Sequence, residues 1–242
     1  MSEHTTKQAE AARTPPLPAR ACASDTPQFL NPFEAIQITQ NRLPHWQQDG
    51  ATYFVTFRLA DSIPADKLAQ WNGEREVWMR LHPPPWTAQV EREYLEHFAY
   101  TTERWLDEGS GSCVLRADEP RRIVADALAH FEGQRHRNHA WVVMPNHVHA
   151  LFSLMEGCRL EDLLHSWKSF TAHEINRLAG HEGTVWERDY FDRLVRNSEH
   201  FWKCARYIQR NPLKARLRSG EYALFESDFV RSALDSYEKW NP

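Results

Sequence analysis

Two histidines one residue apart open an apolar run: His147 and His149 in NHAWVVMPNHVHALFSL, residues 138–154. In an extended chain alternate residues share a face, so the two imidazoles lie side by side, which is half of a divalent-metal site. The other use of such a pair is structural, with each ring hydrogen-bonded to backbone at a strand end. Further along, FWKCARYIQRNP (residues 201–212) carries Tyr207 and Asn211 at i and i+4 of a helical pattern, so a phenol and an amide project together. Alone, these two read as a packed tyrosine and a capping asparagine. Joined to the histidines they form a constellation in which His147, His149 and Asn211 surround a divalent cation and Tyr207 stands beside it.

The elements that must position these groups follow from patterning. Pro145-Asn146 suits a tight turn between two strands, and the second strand alternates His147, His149, Leu151 and Ser153 against a core face of Val148, Ala150, Phe152 and Leu154. ATYFVTFRL, residues 51–59, is the first strand. A helix starts at Asp118 and repeats Ile123, Val124, Ala127, Leu128 and Phe131 as far as Gly133; a second runs from Leu160 to Leu178 and stops at Gly180. Thr184 to Val195 is extended, and a last helix from Ser198 is expected to end at Asn211-Pro212, because the residue before Pro avoids the α region. Strand, helix, strand, strand, helix, short strand, helix is the order of an α+β, ferredoxin-like antiparallel sheet with packed helices.

Residues 60–118 interrupt that order with two helical patterns about Pro83-Pro84-Pro85 and read as a helical insertion. Its aromatic stripe (Trp71, Trp78, Tyr94, Phe98, Trp105) is core by its helical spacing, with stacking on single-stranded bases as the alternative. Residues 1–43 form a Pro/Ala-rich, disordered leader and approach, 44–218 the main domain, and 219–242 a tail whose Tyr222, Leu224, Phe225 and Phe229 pack back on it.

The chain has 242 residues and a net charge of −4, which argues against bulk electrostatic coating of nucleic acid. Locally the sign reverses: between Trp186 and Arg218 nine basic residues face four acidic ones. No apolar run approaches membrane-helix length, and the start lacks a signal-peptide core, so a cytoplasmic, nucleoid-associated protein is expected. Cys22, Cys113, Cys158 and Cys204 are scattered, without a C-x-x-C pair, and reduced thiols are expected.

The pieces WVVMPNHVHALF, HSWKSFTAHEIN, VWERDYFDRLVR and YIQRNPLKA, in this order and spacing, resemble the REP-associated tyrosine transposases, single-tyrosine transposases of the HUH (His-hydrophobe-His) nuclease superfamily. The likeness covers the strand at 51–59 and roughly 119–218. It implies metal-dependent cleavage and rejoining of single-stranded DNA near hairpin-forming repeats, through a covalent 5′-phosphotyrosine. By motif, His147 and His149 are the metal pair, Tyr207 the nucleophile and Asn211 the further polar ligand, where some relatives carry Gln. The cofactor is Mg²⁺ or Mn²⁺, and the partner a hairpin DNA held by a monomer or homodimer. Arg193, Arg196, Lys203, Arg206 and Arg210 surround the nucleophile as phosphate contacts, with Lys168 and His165 on the preceding helix as further ones.

Three competing readings differ in testable ways. A histidine-triad nucleotide hydrolase needs a third alternate histidine at 151, where Leu151 stands. A domesticated hairpin-binding protein would keep the fold without the cut, yet His147, His149 and Tyr207 are all present. Tyr190 is the rival nucleophile, in an extended stretch where no helix brings a metal ligand beside it.

Overall fold

A computed structural model describes residues 26–34, 36–40, 44–83 and 86–240. Five strands form one antiparallel sheet in the order β6-β3-β5-β4-β7: β3 (Thr52–Arg58), β4 (His136–Val143), β5 (His147–Leu154), β6 (Phe191–Leu194) and β7 (Ala223–Glu226). A separate hairpin pairs β1 (Gln37–Gln40) with β2 (Pro44–Gln47). Helices cover both sheet faces. Tyr53, Val55, Phe57, Val148, Ala150 and Phe152 pack with Leu128, Leu163, Leu164 and Trp167 of α4 (Asp118–His130) and α5 (Leu160–Ala179). Phe54, Ala140, Val142 and Leu151 point the other way, toward Phe201, Ala205 and Ile208 of α6 (Ser198–Lys214) and Val230 and Leu234 of α7 (Asp228–Trp240). The expected ferredoxin-like order is therefore present, with an additional edge strand.

Because helices lie on both faces, all eight residues of β5 are buried. A polar side chain there must find a partner or leave an unpaired group in the interior. Ser153 bonds the Thr52 hydroxyl and His139 Nε2, both at 2.8 Å. His136, fully buried at the start of β4, donates Nε2–H to the Leu128 carbonyl at 2.9 Å, between the edges of Phe152 and Trp167.

The insertion consists of α1 (Ala65–Leu81) and then α2 (Ala88–Tyr94), which passes through a π-helical turn, Leu95–Ala99, into α3 (Tyr100–Asp107). Trp71, Trp78, Trp86, Tyr94 and Phe98 pack against one another, and Tyr94 and Phe98 are buried, so the stripe is chiefly this unit's own core. Its return to the sheet is tight. Gly111, at φ +88°, lies so close to Asp61 that a Cβ would sit 2.5 Å from the Asp61 carbonyl oxygen, and the next residue's amide, Ser112 N–H, bonds Asp61 Oδ2 at 2.7 Å.

Three sequence expectations change. The last helix does not end at Asn211-Pro212: Pro212 lies inside α6, which runs on to Lys214. Proline removes one N–H and crowds the carbonyl a turn earlier, but this close to the helix end the final turn still forms, with the Ala215 amide reaching the Asn211 carbonyl at 3.0 Å. Ordered backbone also begins well before Pro44, since Gln28 accepts from the Thr52 amide and the Leu30 amide donates to Val195; residues 1–25 of the expected leader lie outside the described residues. The tail supplies β7, paired with β4, and a helix, where the sequence reading had only apolar residues packing back on the domain.

Burial pushes the His136 imidazole down to about 4, and its Nδ1 has no partner among the described residues. A group that titrates lower in the folded than in the unfolded state removes stability as pH falls from about 6.5 to 4, by about 3 kcal/mol for the full shift. Urea unfolding followed across this window should therefore show a shallower pH slope for His136→Gln than for the wild type. Equal slopes would contradict the assignment.

Candidate active site

The β4–β5 turn fixes the first imidazole. Met144 N–H bonds the His147 carbonyl at 2.8 Å to close it, and Asn146 in the turn accepts from His147 Nδ1–H through Oδ1 at 2.7 Å. That bond leaves His147 Nε2 with its lone pair outward. Two residues on, His149 stacks on Phe54 and its Nδ1 lies 2.7 Å from the Thr56 hydroxyl, directly across the β3–β5 pairing. The two Nε2 atoms then face each other at 3.0 Å with both residues buried. Burial lowers the proton affinity of both rings, the neighbour's charge adds to this at His149, and Lys214 disfavours a positive charge on either. Two neutral imidazoles with converging nitrogens need something positive between them: either one shared proton or a cation.

Helix α6 brings the remaining groups. Asn197 caps it, its side chain accepting from the His200 amide at 2.8 Å. Phe201, Cys204, Ala205, Ile208 and Asn211 make the buried stripe of the helix. The polar end of that stripe meets the histidines: the Tyr207 hydroxyl is 3.4 Å from His149 Nε2 and the Asn211 amide 3.5 Å from it. Asn211 is buried and its Oδ1 has no partner among the described residues. Two imidazole nitrogens and an unsatisfied amide oxygen fit a divalent cation of the Mg²⁺ or Mn²⁺ kind. Among the described residues no group of three or more His, Cys, Asp or Glu converges in this way.

The insertion closes the site from above α6. Lys214 bridges Asp107 at 2.7 Å, and the Asn146 amide, while holding His147, donates to the carbonyls of Leu106 and Ser110, both at 3.2 Å. Glu103, on α3, lies close enough to Tyr207 for its charge to act on the phenol. Burial, followed by the charges of Glu103 and Asp107, raises the phenol's hold on its proton well above the ordinary tyrosine value. Burial likewise raises the Glu103 carboxyl, offset by Arg193 and Lys214.

The expected basic residues divide. Arg193 lies over Phe191 and Tyr100 beside the centre, and two of its nitrogens are buried without a hydrogen-bond partner among the described residues. Lys203 and Arg210 are exposed on α6 and Arg206 is half-buried there, Lys203 pairing with Glu199 at 2.7 Å, while Arg196 is exposed just before the helix. Lys168 and His165 are not brought to this cluster: α5 packs on the opposite sheet face, and Lys168 Nζ donates to the Arg188 carbonyl at 2.7 Å. Tyr190 packs against the α5-side core, under Lys168, whereas Tyr207 touches the histidines.

A family model described as "Transposase IS200 like" matches residues 119–211, from the first turn of α4 to Asn211. In this segment the chain is similar to the IS200-like transposases. The chain is also similar to the REP-associated tyrosine transposase of Escherichia coli (strain K12), 30% identical over 78 residues that cover 31% of this chain and 43% of that relative. The chain is thus matched to less than half the length of that protein. A solved structure of a REP-associated tyrosine transposase bound to a REP hairpin aligns over 72% of this chain and 74% of the other, with 15% identity and a TM-score of 0.39.

Sequence reasoning missed Thr56, Asn146, Glu103 and Lys214. Thr56 was legible only as a residue of the first strand, and its pairing with His149 depends on register. Glu103 carries no sequence signal, being one charge among many in an inserted helix far from the motifs.

Proposed function

We propose that this protein is an IS200-like transposase that cuts and rejoins single-stranded DNA at hairpin-forming repeats through a covalent 5′-phosphotyrosine on Tyr207. The observation that carries this reading is the convergence of the His147–His149 nitrogens, the Asn211 amide and the Tyr207 hydroxyl in the IS200-like segment. Hairpin DNA as partner is inferred from the relative bound to a REP hairpin.

The protein's own groups account for most of the chemistry. Asn146 sets the tautomer of His147, and the Thr56 hydroxyl, free to rotate, either donates to or accepts from His149 Nδ1. When bound by His147, His149 and Asn211, Mg²⁺ or Mn²⁺ supplies charge neutralisation and polarisation at the scissile phosphate. Tyr207 is held against His149, so its oxygen is presented beside the place where that phosphate is polarised. Arg193, Arg206 and Arg210 line the approach with positive charge for the flanking phosphates. A cleft between the insertion and the β6 edge, lined by Thr56, Arg58, Trp71, Arg75, Glu103 and Phe191, offers a route for an unpaired strand. Since one phosphodiester replaces another, rejoining consumes no nucleotide triphosphate. No helix among the described residues is long and apolar enough to cross a membrane.

Incubated with Mn²⁺ and hairpin DNA from its host genome, the full chain should yield an adduct that survives denaturing electrophoresis. Tyr207→Phe should abolish the adduct and Tyr190→Phe should retain it; the reverse pattern would assign the bond to Tyr190, and no adduct with the wild type would favour a binding-only protein. Thr56→Val removes the partner of His149 Nδ1 and should weaken Mn²⁺ affinity roughly 10–100-fold, as read by paramagnetic resonance titration. Unchanged affinity would place the metal elsewhere.

A further inference from the structure

We propose that the cleft between the helical insertion and the β3–β6 side of the sheet is a base-reading pocket. It takes one unpaired nucleobase next to the scissile phosphate and prefers a base with an exocyclic amino group (adenine, cytosine or guanine) over thymine. The proposal rests on the reading of the cluster around Tyr207 as the centre that cuts single-stranded DNA. Helices α1 to α3, which supply one wall of the cleft, lie outside the segment matched to the transposases, so that likeness assigns them no role.

Strand register places the cleft beside the chemistry. Thr56 and Arg58 line it, and in the β3–β5 pairing they stand opposite His149 and His147, on the same face of the sheet. The Thr56 hydroxyl, 2.7 Å from His149 Nδ1, belongs to both. Phe191 of β6, also in the lining, is paired with Thr56 from the other side. The cleft thus begins one strand away from the two imidazoles, with about 5 Å between paired positions. The nucleotide adjoining a phosphate held at the histidines reaches that far. The opposite wall is fixed to the same place: Leu106 lines the cleft, and its carbonyl accepts from the Asn146 amide that holds His147.

The lining fits a flat, neutral ring. Leu68, Trp71, Tyr94, Leu106 and Phe191 give apolar and aromatic walls to about 830 Å³ of space, the open mouth included. That is within the range of about 300–1,000 Å³ usual for small-molecule sites. Other contacts hold these walls in place. Trp71 packs edge-on against Phe98, the Arg75 guanidinium lies 5.6 Å from the Trp71 ring centroid, and Arg75 Nε–H donates to the Tyr94 hydroxyl at 3.0 Å. Aromatic side chains of this kind hold unstacked bases. The charges argue against a phosphate as occupant: three carboxylates, Glu103, Glu187 and Asp189, line the cleft against two guanidinium groups, Arg58 and Arg75. Arg58 is itself engaged by Glu187 at 3.0 Å. Phosphates have a separate track, since Arg193 lies over Phe191 and is paired with Phe54, the ring stacked on His149. A strand following that row can turn one base into the cleft.

The same charges set the preference. A carboxylate only accepts hydrogen bonds, so it favours a base edge that donates. The exocyclic amino groups of adenine, cytosine and guanine donate, whereas thymine has none and turns carbonyl oxygens toward the carboxylates. An unpaired base leaves its Watson–Crick edge open to such contacts.

Fluorescence anisotropy tests the pocket, using the full chain with Tyr207→Phe, so that binding is read without cutting, in Mn²⁺ with a host-genome hairpin that carries unpaired flanks. Each unpaired nucleotide is replaced in turn by an abasic site and by each other base. One flank position should stand out: there, loss of the base weakens binding about tenfold or more, and thymine binds worse than adenine, cytosine or guanine. Adding Trp71→Leu, which keeps apolar bulk in the insertion, should weaken binding of the intact flank to the abasic level, with no further loss on the abasic DNA. A 6-thioguanine at that position should photo-cross-link to a peptide of α1 or α2 or to the one containing Phe191, a readout that stands even where Trp71→Leu fails to fold. Equal penalties along the flanks, thymine bound as well as the other bases, a folded Trp71→Leu protein that still discriminates, or cross-links confined to residues outside the cleft would overturn the proposal. A Tyr207 adduct in the wild type would then still support the reading beneath it. Absence of both hairpin binding and adduct would overturn that reading, and the pocket with it.

Discussion

Two imidazole nitrogens facing each other at 3.0 Å inside a sheet covered on both faces are the constraint around which the rest is built. Burial opposes protonation of either ring, so the pair cannot relieve itself by charging, as exposed histidines would near neutral pH. Each ring is instead held from behind, His147 by Asn146 and His149 by Thr56. The unsatisfied Asn211 oxygen adds a third polar atom that the fold leaves in the same interior. Such groups oppose folding unless something they bind compensates, which is why their coincidence in one place points to function.

The insertion turns this arrangement from a fragment into an enclosed site. One side chain, Asn146, bonds at once to His147 and to the carbonyls at the end of α3, so the insertion and the first imidazole are coupled through a single amide. Lys214 makes the corresponding contact on α6, with Asp107. An inserted unit with an aromatic core of its own has thus become part of the wall around the tyrosine.

Much of this was legible in the chain. The alternation in residues 147–154 placed both histidines on the face away from Val148 and Phe152, and β5 has that arrangement. The i and i+4 spacing of Tyr207 and Asn211 put them together on α6, and both reach His149. Other features were not local. The contact of Thr56 with His149 follows from strand register, which patterning constrains only to a face. Lys168 was read as a further phosphate contact beside the basic cluster, but α5 packs on the opposite side of the sheet, which the sequence does not reveal. Pro212 was read as a stop, although a proline near a helix end leaves the following turn able to form. Glu103 was invisible because nothing short of the tertiary fold brings α3 to α6.

The most direct test of the central claim is mass spectrometry of the protease-digested protein–DNA adduct formed by the wild-type chain with Mn²⁺ and hairpin DNA. The phosphodeoxynucleotide mass should be found on the peptide containing Tyr207, joined through a 5′ phosphate. The same mass on the Tyr190 peptide, or linkage through a 3′ phosphate, would contradict the account.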